Sequence, residues 1–303
     1  VESLWRIAAL AAAVCACDPT VIIGTIVHDA EADGQVDAQG DATVDAQADA
    51  TLDGQQDAPT DGQSDGQSCP GSSADASPVA DPDASIGPFA TGFENGFCGY
   101  ASPTGFCYAA GPASYSLVTS PVHSGKYAAA FTAQGAGDAG IGPGQARCVA
   151  QGVFLPAAYY GAWYYVPAQA TNSGTWNLFH YQGGVPGGML SGLWDVSLAN
   201  MGGTGGPLHV ILYDFLNGMT PNASAVPPIP IGQWFHLEVY FKRASDATGA
   251  ITLLQDGATA VSLTGLVTDP TGWGQWYVGT WTDNLMPSTA TIYVDDVTIG
   301  FAP

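Results

Sequence analysis

The segment GQWFHLEVYFKR, residues 232–243, sets the pattern for the second part of the chain. Phe235, Leu237, Val239 and Phe241 alternate with Trp234, His236, Glu238, Tyr240 and Lys242. A period of two places successive side chains on opposite faces, so the segment predicts a strand with one face on a core and the other turned away from it. The following GAITLLQDGATAVSL predicts two short strands joined at Asp256-Gly257, because that pair tolerates the left-handed backbone of a tight hairpin. Further strands are predicted over Ala158 to Val166, Trp176 to Gln182, Leu208 to Phe215, Gln275 to Trp281 and Thr289 to Ile299. No sustained 3.6-residue apolar period competes with them, and turn residues recur every ten to fifteen positions. The expectation is an all-β sandwich forming one domain over residues 88–303.

Residues 18–87 read differently. Asp29, Asp33, Asp37, Asp41, Asp45, Asp49, Asp53, Asp57, Asp61 and Asp65 form a four-residue period, each followed by Ala or Gly. In a helix this period would stack like charges at i and i+4, and the small polar residues between them make a poor strand. With too little apolar surface to offset its ordering entropy, the segment is expected to be a disordered linker. Fifteen acidic and no basic residues lie between Asp18 and Gly87, so most of the net charge of −22 falls there. Such a chain is repelled by nucleic acid and by anionic membrane surfaces, and no nucleic-acid partner is expected.

Upstream, a single Arg6 precedes an apolar run from Ile7 to Ala16, too short to span a bilayer and proportioned as a signal-peptide core. Val14-Cys15-Ala16-Cys17 resembles a bacterial lipobox. That resemblance implies a signal peptide over residues 1–17, lipidation at Cys17, and a cell-envelope protein, periplasmic or surface-exposed, touching the membrane through its lipid alone. About 70 flexible residues would then reach roughly 40–50 Å from the anchor. Export fits the remaining Cys69, Cys98, Cys107 and Cys148, an even set suited to disulfides. Three pairings are open, among them a local Cys98–Cys107 staple or a cross-strand bond to Cys148.

Three short motifs carry a wider resemblance: GFENG at 92–96, PVHSGKYAAAFT at 121–132 and ATIYVDDVTIG at 290–300. They resemble strands of extracellular jelly-roll domains, including carbohydrate-binding modules and concanavalin A-like lectin and polysaccharide-lyase domains. The resemblance implies a jelly-roll β-sandwich, expected as a monomer. It also implies a structural calcium ion at Glu94, Asp295 and Asp296 with backbone carbonyls near Lys126; the plainer alternative is that the two aspartates face opposite sides and one pairs with Lys126.

Two kinds of chemistry are open to such a domain. Aromatic side chains offer faces for sugar rings, and AWYYVP, GWGQWYVGTW, Trp176 and Trp194 are candidates, although most aromatics in a sandwich are expected in its core. In TWNLFHYQG, alternation puts Trp176, Leu178, His180 and Gln182 on one face. Similarity to concanavalin A-like lyases implies His180 and Gln182 acting with a tyrosine, Tyr213, and a uronate-neutralising Arg147. Removing a proton alpha to a carboxylate needs that charge offset and a base in reach. A glycosidase finds no clustered pair of acids, and no G-x-S-x-G setting provides a serine nucleophile. The leading expectation is a polysaccharide-binding lipoprotein, with a lyase for uronate-containing polymers as the alternative and a structural or protein-binding envelope domain as the third.

Overall fold

The computed structural model describes residues 81, 83–136, 142–223 and 225–302. The expected signal peptide, Cys17, Cys69 and nearly all of the linker lie outside them. In chain order the strands are β1 (Ser85–Ile86), β2 (Phe89–Thr91), β3 (Gly105–Ala110), β4 (Ala113–Val118), β5 (Ala128–Ala136) and β6 (Gly144–Phe154). Next come β7 (Ala157–Tyr165), β8 (Thr171–Asn172), β9 (Trp176–Gly184), β10 (Leu190–Asn200), β11 (Leu208–Asp214) and β12 (Gly218–Ala223). The last are β13 (Trp234–Lys242), β14 (Gly249–Gln255), β15 (Ala258–Leu266), β16 (Trp273–Thr282) and β17 (Asn284–Gly300). Among the described residues there is no α-helix, and hence none long and apolar enough to cross a membrane.

The strands form a jelly-roll sandwich of two sheets. The first runs β1-β6-β16-β9-β10-β11-β12, with β3 also on β6; the second runs β15-β14-β13-β7-β17-β5-β4, with β2 and β8 on β17. Sheet pairing starts at Ser85, slightly ahead of the expected boundary at 88, because Ile86 buries its side chain in the core. Between the sheets, Tyr160, Tyr164, Phe235, Leu237, Val239 and Phe241 from the second meet Phe179, Tyr181, Trp194, Trp276 and Val278 from the first. Trp176 and Trp194, offered as sugar platforms, are both core residues, at 1% and 0% exposure. The predicted hairpin is present: Asp256 and Gly257 take φ of 51° and 77°, the paired left-handed conformation of a type I′ turn.

Of the open disulfide pairings the cross-strand one forms, joining Cys107 to Cys148 where β3 and β6 place them opposite each other. Cys98 is disulfide-bonded as well, so the local Cys98–Cys107 staple does not exist.

Candidate functional site

The first sheet carries a polar layer on the side away from the core. In β9 the alternation expected from TWNLFHYQG breaks: Phe179 pairs with Val196 and Asn177 with Ser197, leaving Leu178 as an extra residue. This bulge sends Trp176, Leu178, Phe179 and Tyr181 into the core cluster and leaves His180 and Gln182 on the opposite face. Asn177 closes the bulge by donating from Nδ2 to the Phe179 carbonyl at 2.8 Å. Its Oδ1 accepts from the Arg147 guanidinium at 3.1 Å, so one side chain shapes the strand and aims the cation. Opposite Arg147 stands Gly279, at φ 135°; a Cβ there would lie 2.9 Å from the Arg147 Cα, so only glycine fits.

Register then draws a row across the sheet: Tyr277 pairs with His180, His180 with Asp195, and Asp195 with Tyr213. The Arg147 guanidinium carbon lies 5.3 Å from the Tyr277 ring centre, and the Tyr277 and His180 rings are 5.2 Å apart. His180 Nδ1 is hydrogen-bonded to Asp195 Oδ1. Where the carboxylate accepts, Nδ1 is the donor, and the bond fixes the ring's orientation with Nε2 as its other nitrogen. The Tyr277 hydroxyl donates to Gln182 Oε1 at 3.1 Å and also contacts Gln275, whose amide donates to Gln151 at 3.0 Å. Tyr213 stands beyond Asp195; burial first, then the charges of Asp195 and Asp283, push its hydroxyl pKa up and keep it protonated.

Arg147, His180, Gln182 and Tyr213 therefore lie on one face of the first sheet. Tyr277, which sequence reasoning treated only as part of an aromatic run, is the tyrosine between Arg147 and His180. Asp195, Asn177 and Gln275 were likewise not assigned; the signal for Asp195 was its alternation with Trp194 and Val196 opposite β9.

The three carboxylates expected to hold calcium gather at the 123–127 turn. Asp295 is fully buried and accepts from the amides of His123 at 3.0 Å and Ser124 at 3.2 Å. Asp296 meets His123 Nδ1 at 2.7 Å and accepts from the Ser124 hydroxyl at 2.9 Å. Both aspartates thus serve the same turn, because Asp296 is left-handed at φ 45° and β17 bulges between Asp295 and Thr298. Glu94 accepts from the amides of Lys126 and Tyr127 at 2.6 and 3.0 Å, and these bonds lower its pKa. Among the described residues no three or more His, Cys, Asp or Glu side chains are arranged as a metal-ligand set.

The fold and this polar layer define a jelly-roll sandwich with a hydrogen-bonded cluster of ionisable groups on one sheet. No protein-family model matches the chain, and no curated protein matches it in sequence. Among solved structures it is similar to an endo-β-1,4-glucuronan lyase from the fungus Trichoderma reesei, with 16% identity and a TM-score of 0.53 over 71% of this chain and 95% of the lyase. The cellulose induced protein Cip1 aligns over 71% of this chain and 97% of its own at 14% identity and a TM-score of 0.46. Alginate lyase Aly36B aligns over 72% and 98% at 14% and 0.45. The likeness to the glucuronan lyase establishes the shared fold.

Proposed function

We propose that the domain is a polysaccharide lyase acting on a uronate-containing polymer. The observation that carries this reading is the continuous row Arg147, Tyr277, His180, Asp195 on one sheet face, with Gln182 bonded to Tyr277. It favours the enzyme over a passive binding module, because a binding face does not need an imidazole held by a carboxylate beside a tyrosine hydroxyl and a guanidinium. The shared fold with a glucuronan lyase supports it.

In this reading Arg147 and the Gln182 amide bind the uronate carboxylate and offset the charge that builds on it. His180, oriented by Asp195, takes the proton alpha to that carboxylate at Nε2. The electron pair left behind becomes the new carbon–carbon double bond as the bond to the glycosidic oxygen breaks. The Tyr277 hydroxyl supplies the proton to that leaving oxygen, which becomes the new chain end. Tyr213, on the far side of Asp195, borders the site rather than reaching the reacting atoms.

The test is incubation of the full chain with polyglucuronate and with alginate, following the ultraviolet absorbance of unsaturated uronate ends. His180→Ala and Tyr277→Phe should each lower turnover by about 10²–10⁴-fold. Absence of unsaturated product from every uronate polymer would remove the enzyme reading, and binding without turnover would restore the binding module.

Two further parts of the proposal concern setting. Lipidation at Cys17 rests on its lipobox-like context, and intact mass of the mature protein from a bacterial envelope checks it: an unacylated N-terminus rejects the anchor. A structural calcium ion at the 123–127 turn is supported by a fully buried Asp295 beside the carboxylate of Asp296, a like-charge pair that a hard cation would relieve. A chelator should then lower Tm and added calcium restore it; an unchanged Tm rejects the ion.

A further inference from the structure

The outer face of the second sheet has a different chemistry. On β7, Tyr159, Trp163 and Tyr165 alternate with the core residues Tyr160, Ala162 and Tyr164, and all three are half-buried. Register sets Trp234 of β13 and Tyr293 of β17 on either side of Tyr165, with ring centres 5.6 and 5.8 Å away. Trp163 lies under the His123 ring at 3.8 Å and beside His236 at 5.2 Å. Farther along, Tyr159 and Tyr240 form a second ring pair at 5.0 Å. The four residues from Tyr159 to Trp163 separate the two clusters by roughly 13 Å.

Between them sits Glu238, opposite Gly161, which has no side chain. Glu238 is 5% exposed, and its carboxylate has no hydrogen-bond or ion-pair partner among the described residues. Burial alone raises its pKa. No donor among the described residues is bonded to this carboxyl, whose oxygens reach solvent between the partly exposed rings, so a donor from a bound molecule can satisfy it there.

We infer that this face is a second glycan-binding surface, which takes a neutral polysaccharide chain: the ring clusters stack against the apolar faces of sugars, and Glu238 accepts from a hydroxyl between them. Charge decides the class. Glu238 and Asp256 repel a polyanion among these rings, Lys242 lying beyond Tyr240 at the end of β13, whereas Arg147 on the other sheet attracts one. The acidic segment 18–87 of this chain is excluded as occupant for the same reason. Rings with one apolar face and a polar edge, around a single acceptor, are the chemistry that recognises uncharged sugars. The inference does not depend on the lyase reading, since the two faces share no residue.

The experiment is affinity electrophoresis of the full chain in gels containing hydroxyethylcellulose or arabinoxylan, with polyglucuronate gels alongside. At least one neutral polymer should retard the wild type, and His180→Ala should be retarded equally. Trp234→Ala should weaken the apparent affinity about tenfold or more, and Glu238→Gln, which keeps the shape, should weaken it as well. Should Trp234→Ala fail to fold, Tyr240→Ser at the half-exposed far cluster carries the same expectation. No retardation by either neutral polymer overturns the inference. So does retardation that survives loss of the rings but disappears in His180→Ala.

Discussion

Asp269 offers a measurable link between stability and the candidate site. Its Oδ2 accepts from Arg243 Nε at 2.6 Å, and the two side chains are 0% and 8% exposed. Its Oδ1 accepts from the Thr271 amide at 2.8 Å, the Thr271 hydroxyl at 2.9 Å and the Gly272 amide at 3.1 Å. The carboxylate therefore neutralises a buried guanidinium and ties the loop that leads into β16, the strand carrying Gln275 and Tyr277. Asp269→Asn separates the two roles. The amide oxygen can still serve the loop, but its NH2 group then faces the Arg243 donor and the cation loses its partner.

Orphaning one member of a buried ion pair costs about 3–5 kcal/mol. Arg243 keeps its 2.7 Å bond to the Phe154 carbonyl, which sets the Asn variant near the low end of that range. Asp269→Ala also loses three loop hydrogen bonds at about 1 kcal/mol each. For a domain of this size 1 kcal/mol moves Tm by roughly 2–4 °C. The expected fall is then about 6–12 °C for Asp269→Asn and about twice that for Asp269→Ala. Differential scanning calorimetry measures both. If Arg243→Met is combined with Asp269→Leu, much of the loss should return, because the cost lies in an unpaired charge more than in a missing contact. A shift under about 2 °C for Asp269→Asn would refute the assignment of that charge as buried and paired.

The remaining expectations are shorter. Glu238→Gln should stabilise the protein at neutral pH: the folded-state pKa of Glu238 is raised, so stability is lost as pH climbs from the ordinary carboxylate range through that raised value. The gain should vanish below about pH 4, where both forms are neutral, and a Tm difference independent of pH would refute it. Reducing the Cys107–Cys148 bond, or replacing both by Ser, frees a loop of sequence separation 41 and should cost about 4 kcal/mol by chain entropy. Because reductant would also open the Cys98 disulfide, denaturant melts of the double Ser variant beside the oxidised wild type read this, and superimposable curves reject it.

How much of this was legible in sequence varies with the device involved. One-sided strands announce themselves, and β13 follows its alternation residue by residue, with Phe235, Leu237, Val239 and Phe241 all at 0% exposure. The Asp256-Gly257 turn was readable because only a few residue types accept its backbone. By contrast, β16 is buried on both faces, so Trp276 in the core and Tyr277 on the polar layer look alike in a run of aromatics. The bulge at Leu178 was invisible, since an extra residue leaves no mark on composition. It decides the face of Leu178, whereas His180 and Gln182 keep theirs relative to each other. The left-handed Asp296 hid the convergence of both aspartates on one turn in the same way, by changing direction without changing residue type.

Charge raises a difficulty for the proposed substrate, and its resolution can be measured. The chain carries −22, while a uronate polymer is also anionic, so long-range forces oppose their encounter. In the site the attraction comes from Arg147, which acts at contact distance between β6, β16 and β9. Screening works unequally on these two terms: the Debye length falls from about 30 Å at 0.01 M salt to about 8 Å at 0.15 M. Repulsion between distant charges is thus suppressed well before the contact between Arg147 and a bound carboxylate is weakened. The kcat/KM for polyglucuronate should accordingly rise as salt is added over that range, with the change residing in KM. Deleting residues 29–65, which hold ten aspartates and no cation, should flatten the dependence while leaving kcat unchanged. A kcat/KM that falls steadily with salt would mean that long-range attraction dominates capture, and the charge assignment of the site would have to be abandoned.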